Sequence, residues 1–90
     1  MINATIKTQA ALQSLLDKGY TLSIRCEGEL LQKRTDDLNA VMAILSDVEE
    51  ADVRVWQGPL GQTPERVGFI YCALDTDGVN IVDHTHALPL

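Results

Sequence analysis

The hydrophobic period of the chain changes at Gly19, and this change constrains the fold more than any other feature. Before Gly19, apolar residues recur at helical spacing, and the Thr8 hydroxyl can cap the start of such a helix. After it, Tyr20–Cys26 alternates apolar and polar side chains, as a half-buried strand does. Glu27-Gly28 predicts a tight hairpin turn, with Glu29–Arg34 returning as a second strand. The first third of the chain is therefore predicted to be a helix followed by an antiparallel hairpin.

The segment Glu29–Arg34 has a rival interpretation as the start of a long helix. Leucines recur at seven-residue intervals from Leu31 onward, which is compatible with helical spacing. Thr35–Asp37, however, has the composition of a helix start and not of a helix middle. We therefore prefer the hairpin, in which Leu31 lies opposite Ile24 on the inner face of the sheet.

A second helix and three further strands are predicted in the rest of the chain. Asp36–Val48 carries an apolar stripe at helical spacing, with Thr35 as its N-cap. Strand patterns follow from Val53, over Val67–Leu74, which we expect to be central, and over Val79–His84. We predict one α+β domain over residues 1–90, with two helices packed on a mostly antiparallel sheet of about five strands. The predicted order of elements is α-β-β-α-β-β-β.

Composition narrows the functional classes. The chain has 90 residues, 46% of them hydrophobic, and a formal charge of −6. The net charge argues against direct binding to nucleic acid or to an anionic membrane, because both need a basic face. The longest apolar run is Val41–Leu45, and no basic segment followed by an apolar block opens the chain. We expect a small soluble protein in the cytoplasm, without a membrane partner.

The charge is unevenly distributed. Residues 1–34 carry five Lys or Arg against three acids, whereas residues 35–90 carry two against ten. Four acids form a group that we name the acidic cluster: Asp47, Glu49, Glu50 and Asp52. Such a cluster is often only solvated surface. It can also dock a basic partner or mimic a phosphate backbone.

Two further spots are candidates for partner binding. Trp56, the only tryptophan, shares a strand face with Arg54, and an aromatic beside an arginine is typical of an interaction anchor. Trp56 can equally well close one edge of the core. Arg25, Lys33 and Arg34 can form a small basic spot on the hairpin, too small to hold duplex nucleic acid alone.

The sequence contains weak signals for metal or catalytic chemistry. In an extended chain His84 and His86 point to the same side and could share a divalent ion, but a structural zinc site requires four ligands. Cys26 and Cys72 match no zinc or redox motif, and we expect both to behave as small core residues. We predict no catalytic residue and no cofactor, and favour a non-enzymatic protein.

Six short segments occur in a fixed order along the chain: Gly19–Ile24, Glu27–Glu29, Lys33–Asp36, Ser46–Glu50, Val53–Val55 and Asp83–Thr85. In this order they resemble a group of small uncharacterised proteins associated with phage and prophage genomes. The chain has Leu30-Leu31 where the group has an aromatic residue. The resemblance implies a bacterial or phage origin and a cytoplasmic setting, and it implies no activity.

These observations predict an accessory protein that acts by protein–protein contact, through the acidic cluster or the strand that carries Trp56. One alternative is an acidic nucleic-acid mimic that blocks a host nucleic-acid-binding protein. A second alternative is a small metal-dependent enzyme or module that uses His84 and His86. We also predict a homodimer, because the sheet has two edges and few prolines or lysines to protect them.

Overall fold

The computed structural model describes residues 4–58, 60–61 and 63–90. It confirms the predicted α+β fold and the predicted order of elements. The Gly and Pro content of Gly58–Pro64 predicts a loop there, and two of its residues, Pro59 and Gln62, lie outside the described residues. The elements are α1 (Ala4–Asp17), β1 (Tyr20–Cys26), β2 (Glu29–Thr35), α2 (Leu38–Leu45), β3 (Glu50–Gln57), β4 (Glu65–Asp75) and β5 (Gly78–His84).

The five strands form one antiparallel sheet in the order β2-β1-β3-β4-β5. The centre of the sheet is β3, and not the more apolar β4 that we expected there. The reason is the connection through α2, which returns the chain so that β3 pairs with β1 while β2 stays at the edge. Pairs such as Ser23 with Arg54 therefore join segments that are 31 positions apart.

Both helices pack against one side of this sheet, which we name the covered face. The fully buried side chains come from both helices and from the inward positions of the strands: Leu12, Leu15, Leu22, Ile24, Val41, Leu45, Val53, Val55, Ile70, Cys72 and Val79. Burial of this apolar surface is the main source of stability for a chain of this size. No helix in the described part of the chain has the length and apolarity needed to cross a bilayer.

The start of α1 differs from the sequence prediction. The described helix covers Ala4–Asp17, so Thr8 lies within it, is buried, and is not its N-cap. The Thr8 hydroxyl instead donates to the carbonyl of Val79 at 2.7 Å, and Thr5 Oγ1 accepts from the Val79 N–H at 2.9 Å. Two threonines thus attach α1 to β5, and this use of a hydroxyl cannot be read from local sequence.

The second helix is shorter than predicted. It covers Leu38–Leu45, and its N-cap is Asp37, which accepts hydrogen bonds from the backbone N–H groups of Asn39 and Ala40. Thr35, the expected cap, is the last residue of β2. Val48 lies beyond the helix and still packs against the core.

The hairpin is confirmed, but its register is not. Glu27 and Gly28 both have positive φ, 52° and 83°, as a two-residue type I′ turn requires. Leu31 does not pair with Ile24 as predicted, because a β-bulge shifts the pairing so that Ile24 faces Gln32. Leu31 nevertheless packs against the core.

Candidate binding site on the open face of the sheet

The side of the sheet away from the helices, which we name the open face, carries the candidate site. Along β3, buried Val53 and Val55 alternate with the half-buried Arg54 and Trp56. Alternation is a property of any strand, but here only one side is covered by helices. The predicted placement of Arg54 and Trp56 opposite the two valines is therefore confirmed.

A hydrogen bond to the neighbouring strand β1 fixes the position of the Trp56 side chain. Its indole Nε1–H donates to the Ser23 hydroxyl of β1 at 2.9 Å. Ser23 is only 5% exposed, and Thr21, two residues earlier on the same face, is 3% exposed. Both residues were predicted on the exposed side of a half-buried strand. Trp56 is therefore not part of the core beneath the helices, because it lies on the opposite face of the sheet. It is also not a freely exposed side chain, because it is half-buried and its indole N–H is hydrogen-bonded.

A groove of about 390 Å³ opens beside Trp56. We name it the basic groove, because four cationic side chains line it: Arg25 of β1, Lys33 and Arg34 of β2, and Arg54 of β3. These are four of the seven Lys and Arg residues in the chain. Leu30, Trp56 and Pro64 supply apolar lining, and no Asp or Glu is among the described lining residues.

The acids of the chain leave much of this positive charge unneutralised. Arg54 Nε lies 3.4 Å from a carboxylate oxygen of Asp52, which is a long and partly exposed ion pair. Arg25 donates to the carbonyl of Gly28 at 3.3 Å. Within the described residues, neither Arg25 nor Lys33 forms an ion pair. The described lining of the groove therefore carries more positive than negative charge, on a chain whose total charge is negative.

The acidic cluster is divided by the fold. The helical pattern of Asp36–Val48 predicts that the cluster lies at the end of the second helix, but Glu50 and Asp52 belong to β3 and only Asp47 and Glu49 precede the strand. Glu50 accepts a hydrogen bond from the Tyr71 hydroxyl of β4, and this bond is the main cause of the raised pKa of Tyr71. Asp47 and Glu49 are exposed. Glu50 is exposed as well, so two of the four acids interact on the sheet and three of the four are exposed.

The metal and thiol candidates lie elsewhere. The rings of His84 and His86 have centroids 6.3 Å apart, and His84 Nδ1 lies 2.9 Å from the Thr85 carbonyl. Among the described residues no three His, Cys, Asp or Glu side chains form a metal-binding group. Cys72 is buried, and burial raises the pKa of its thiol to about 12, so its thiolate is scarce at neutral pH. Cys26 is half-buried, and its thiol donates to the Glu50 carbonyl.

Local sequence patterns point to the parts of the groove but not to their assembly. The basic spot of the hairpin and the pair Arg54 and Trp56 were separate candidates, and the pairing of β1 with β3 joins them into one site. The hydrogen bond between Ser23 and Trp56 was missed, because no local signal connects residues 33 positions apart.

Comparisons with known proteins found no match for this chain. No protein-family model matches it. No curated protein and no solved structure matches it either.

Proposed function

We propose that this chain is a non-enzymatic accessory protein that binds a protein partner through the open face of its sheet. The observation that carries the proposal is Trp56, whose indole is held by Ser23 at the rim of the basic groove. Tryptophan and arginine are the residues most often found at energetically dominant positions of protein interfaces. An aromatic side chain that is already oriented loses little conformational entropy on binding, which favours affinity.

The neighbouring strands extend this surface. Phe69 of β4 pairs with Arg54 in register, and it is 37% exposed on the open face. Partly exposed aromatics beside arginines fit the apolar centre and polar rim of a protein interface. The high pKa of the Cys72 thiol also argues against this thiol as a nucleophile. Binding thus has more support than catalysis.

Affinity capture with single-site variants tests the proposal. The tagged protein is incubated with extract of the cells that naturally carry the gene, and a partner is then purified with it. We expect Trp56→Ser and Arg54→Glu each to release that partner. Ile6→Ser, at an exposed apolar position of α1, should retain it.

Hydrogen exchange on the purified complex gives the second readout. We expect the partner to slow amide exchange in β1 and β3 and to leave α1 unchanged. Retention of every partner by Trp56→Ser, with its fold verified by circular dichroism, would contradict the proposal. Protection confined to the helices would contradict it as well.

Nucleic-acid mimicry is the second candidate, and exposed Asp47 and Glu49 favour it. A partner held by them should be released as salt is raised and should be displaced by nucleic acid. Asp47→Lys combined with Glu49→Lys should abolish such binding while Trp56→Ser preserves it. The two candidates therefore predict opposite patterns in the same set of variants.

We also propose a phage or mobile-element origin, a cytoplasmic location and a homodimer. The first two follow from the resemblance of the ordered segments. The dimer follows from the sheet edges, since β2 and β5 each pair with only one strand in the described part of the chain. Light scattering should give about twice the 9.9 kDa mass of one chain, and the mass of a single chain would refute the dimer.

A further inference from the structure

We propose that the basic groove binds an acidic segment of the partner protein, one that presents carboxylates together with an apolar side chain. This proposal rests on the proposed function, because it assigns the chemistry of the partner at the same open face. Three features support this proposal: the cationic residues that line the groove, the apolar residues that line it, and the acidic residues that lie beside it on β3.

Charge complementarity is the first feature. The chain has 13 acids and seven Lys or Arg residues, yet the described lining of the groove contains four cations and no acid. Lys33 and Arg25 form no ion pair among the described residues. The hydrogen bond that Arg25 donates goes to the neutral carbonyl of Gly28, at 3.3 Å. A carboxylate entering the groove can therefore form charge-assisted hydrogen bonds with these two side chains without breaking an ion pair.

The apolar lining is the second feature. Leu30 is 44% exposed at the groove, and Trp56 faces the same space from β3. The aliphatic stems of Lys33 and Arg25 add apolar surface below their charged ends. A ligand that carries charge alone would leave this surface in contact with water, so an adjacent leucine-like side chain improves the fit.

The third feature limits the length of the bound anion. Asp52 pairs in register with Arg25, and Glu50 lies two residues earlier on the same face of β3. A continuous polyanion that extended from the groove along β3 would meet these acids, and the whole chain has a charge of −6. Nucleic acid carries a phosphate at every step and needs a long basic track. A short peptide segment needs only the groove.

The chain provides its own probe for the test, because Trp56 is the only tryptophan. The fluorescence of Trp56 is recorded while an octapeptide of two Glu-Glu-Leu-Leu repeats is added. In an extended peptide this repeat places both glutamate and leucine on each face. Matched probes replace glutamate by lysine, or leucine by serine, and an eight-residue oligothymidylate represents nucleic acid.

We expect saturable binding of the Glu-Leu octapeptide below about 1 mM, and weaker binding of all three other probes. Affinity should fall in about 1 M salt, where the Debye length is about 3 Å. Arg25→Gln combined with Lys33→Gln should weaken binding by about tenfold or more, since charge-assisted hydrogen bonds are lost. Lys7→Gln combined with Lys18→Gln, which removes the same charge from exposed sites near α1, should leave the affinity unchanged.

Four results would overturn the proposal, and the first three concern the probes. They are no binding of the Glu-Leu octapeptide below about 1 mM, equal binding of the lysine probe, or tighter binding of the oligothymidylate. An equal loss of affinity in both double variants would overturn it too, because the effect would then be due to net charge alone. If the octapeptide fails while Trp56→Ser still releases the captured partner, the acidic ligand is wrong and the open face remains the partner surface.

Discussion

The two faces of the sheet are formed by the same strands, but one face carries buried apolar side chains and the other carries cationic and aromatic ones. Helices cover one face, and residues such as Ile24 and Val53 are fully buried there. The open face carries Arg25, Arg54 and Trp56 at the intervening positions. Neighbouring residues on one strand therefore alternate between the packed core and the surface that we propose as the binding site. Substitutions on the covered face should unfold the chain, while those on the open face should mainly change what it binds.

The largest effect is expected from Ile24→Ala. Removing a fully buried side chain from the covered face should lower the free energy of unfolding by about 2–5 kcal/mol. Arg25→Ala, one position along the same strand, should change it by about 0.5 kcal/mol or less. Urea unfolding followed by circular dichroism measures both. Similar losses for the two variants would show that the faces do not differ as described.

A second test concerns the attachment of α1 to the sheet. Gly78 has a φ of 108°, and a Cβ at this position would clash with Thr5 Oγ1. Gly78→Ala should cost about 2–4 kcal/mol, because backbone strain adds to this overpacking. Gly28 also has positive φ but no atom near its would-be Cβ, so Gly28→Ala should cost only about 1–2 kcal/mol. Equal losses in urea unfolding would mean that the Thr5 contact is unimportant.

Alkaline pH should lower the free energy of unfolding, because Cys72 is buried on the covered face. Its folded pKa of about 12 exceeds the ordinary value of 9.0, so the thiol ionises first in the unfolded chain. The contribution of this thiol to the free energy of unfolding is fully present below pH 9. It should fall by about 1.4 kcal/mol per pH unit as pH rises toward 12. The raised pKa of Tyr71 acts in the same direction.

Urea midpoints measured across this pH range check the effect. Cys72→Ala should remove much of the alkaline decline, at the cost of a small cavity. Cys26→Ala, which keeps Cys72, should retain the decline and serves as the matched control. An unchanged pH profile in Cys72→Ala would exclude this thiol as the cause.

A smaller effect is expected from the hydrogen bond on the open face. Ser23→Ala removes the acceptor of the Trp56 indole N–H and should cost about 1 kcal/mol of stability. The fluorescence of Trp56 should change because the indole is no longer fixed. Ser14→Ala, which removes the acceptor of an exposed hydrogen bond from Lys18 in α1, should leave the spectrum unchanged. An identical spectrum in Ser23→Ala would contradict the fixed position of Trp56.

Local sequence patterns predict an element well where interactions between neighbouring residues determine its structure. The alternation of Tyr20–Cys26 and the turn Glu27-Gly28 gave a strand and a turn that the structure confirms. Helix ends were predicted less well, since Thr8 and Thr35 were read as caps from their hydroxyls alone. Each hydroxyl has another use in the fold: Thr8 bonds to β5, and Thr35 Oγ1 accepts from the Asp37 N–H.

The C-terminal segment shows the same limit. The last predicted strand ends at His84 and the segment after it contains Pro89, a pattern that predicts a tail, but Leu88 is 6% exposed and packs with the core. Thr85 Oγ1 accepts from the Phe69 N–H at 3.0 Å. Gly68 permits this approach, because a Cβ there would lie 2.9 Å from the Thr85 side chain. A single leucine such as Leu88 has no periodic pattern around it, so the sequence does not predict that it is buried.

The sequence by itself determined the kinds of elements, their order and the separation of apolar from polar side chains on each strand. Hydrophobic period and turn residues act within a few positions, so they can be read without knowing the fold. The tertiary structure alone decided that β3 lies beside β1, and with it that Arg54 and Trp56 meet the cations of the hairpin. Strand pairing depends on contacts between distant segments and on how the helices cover the sheet, and no local pattern contains that information.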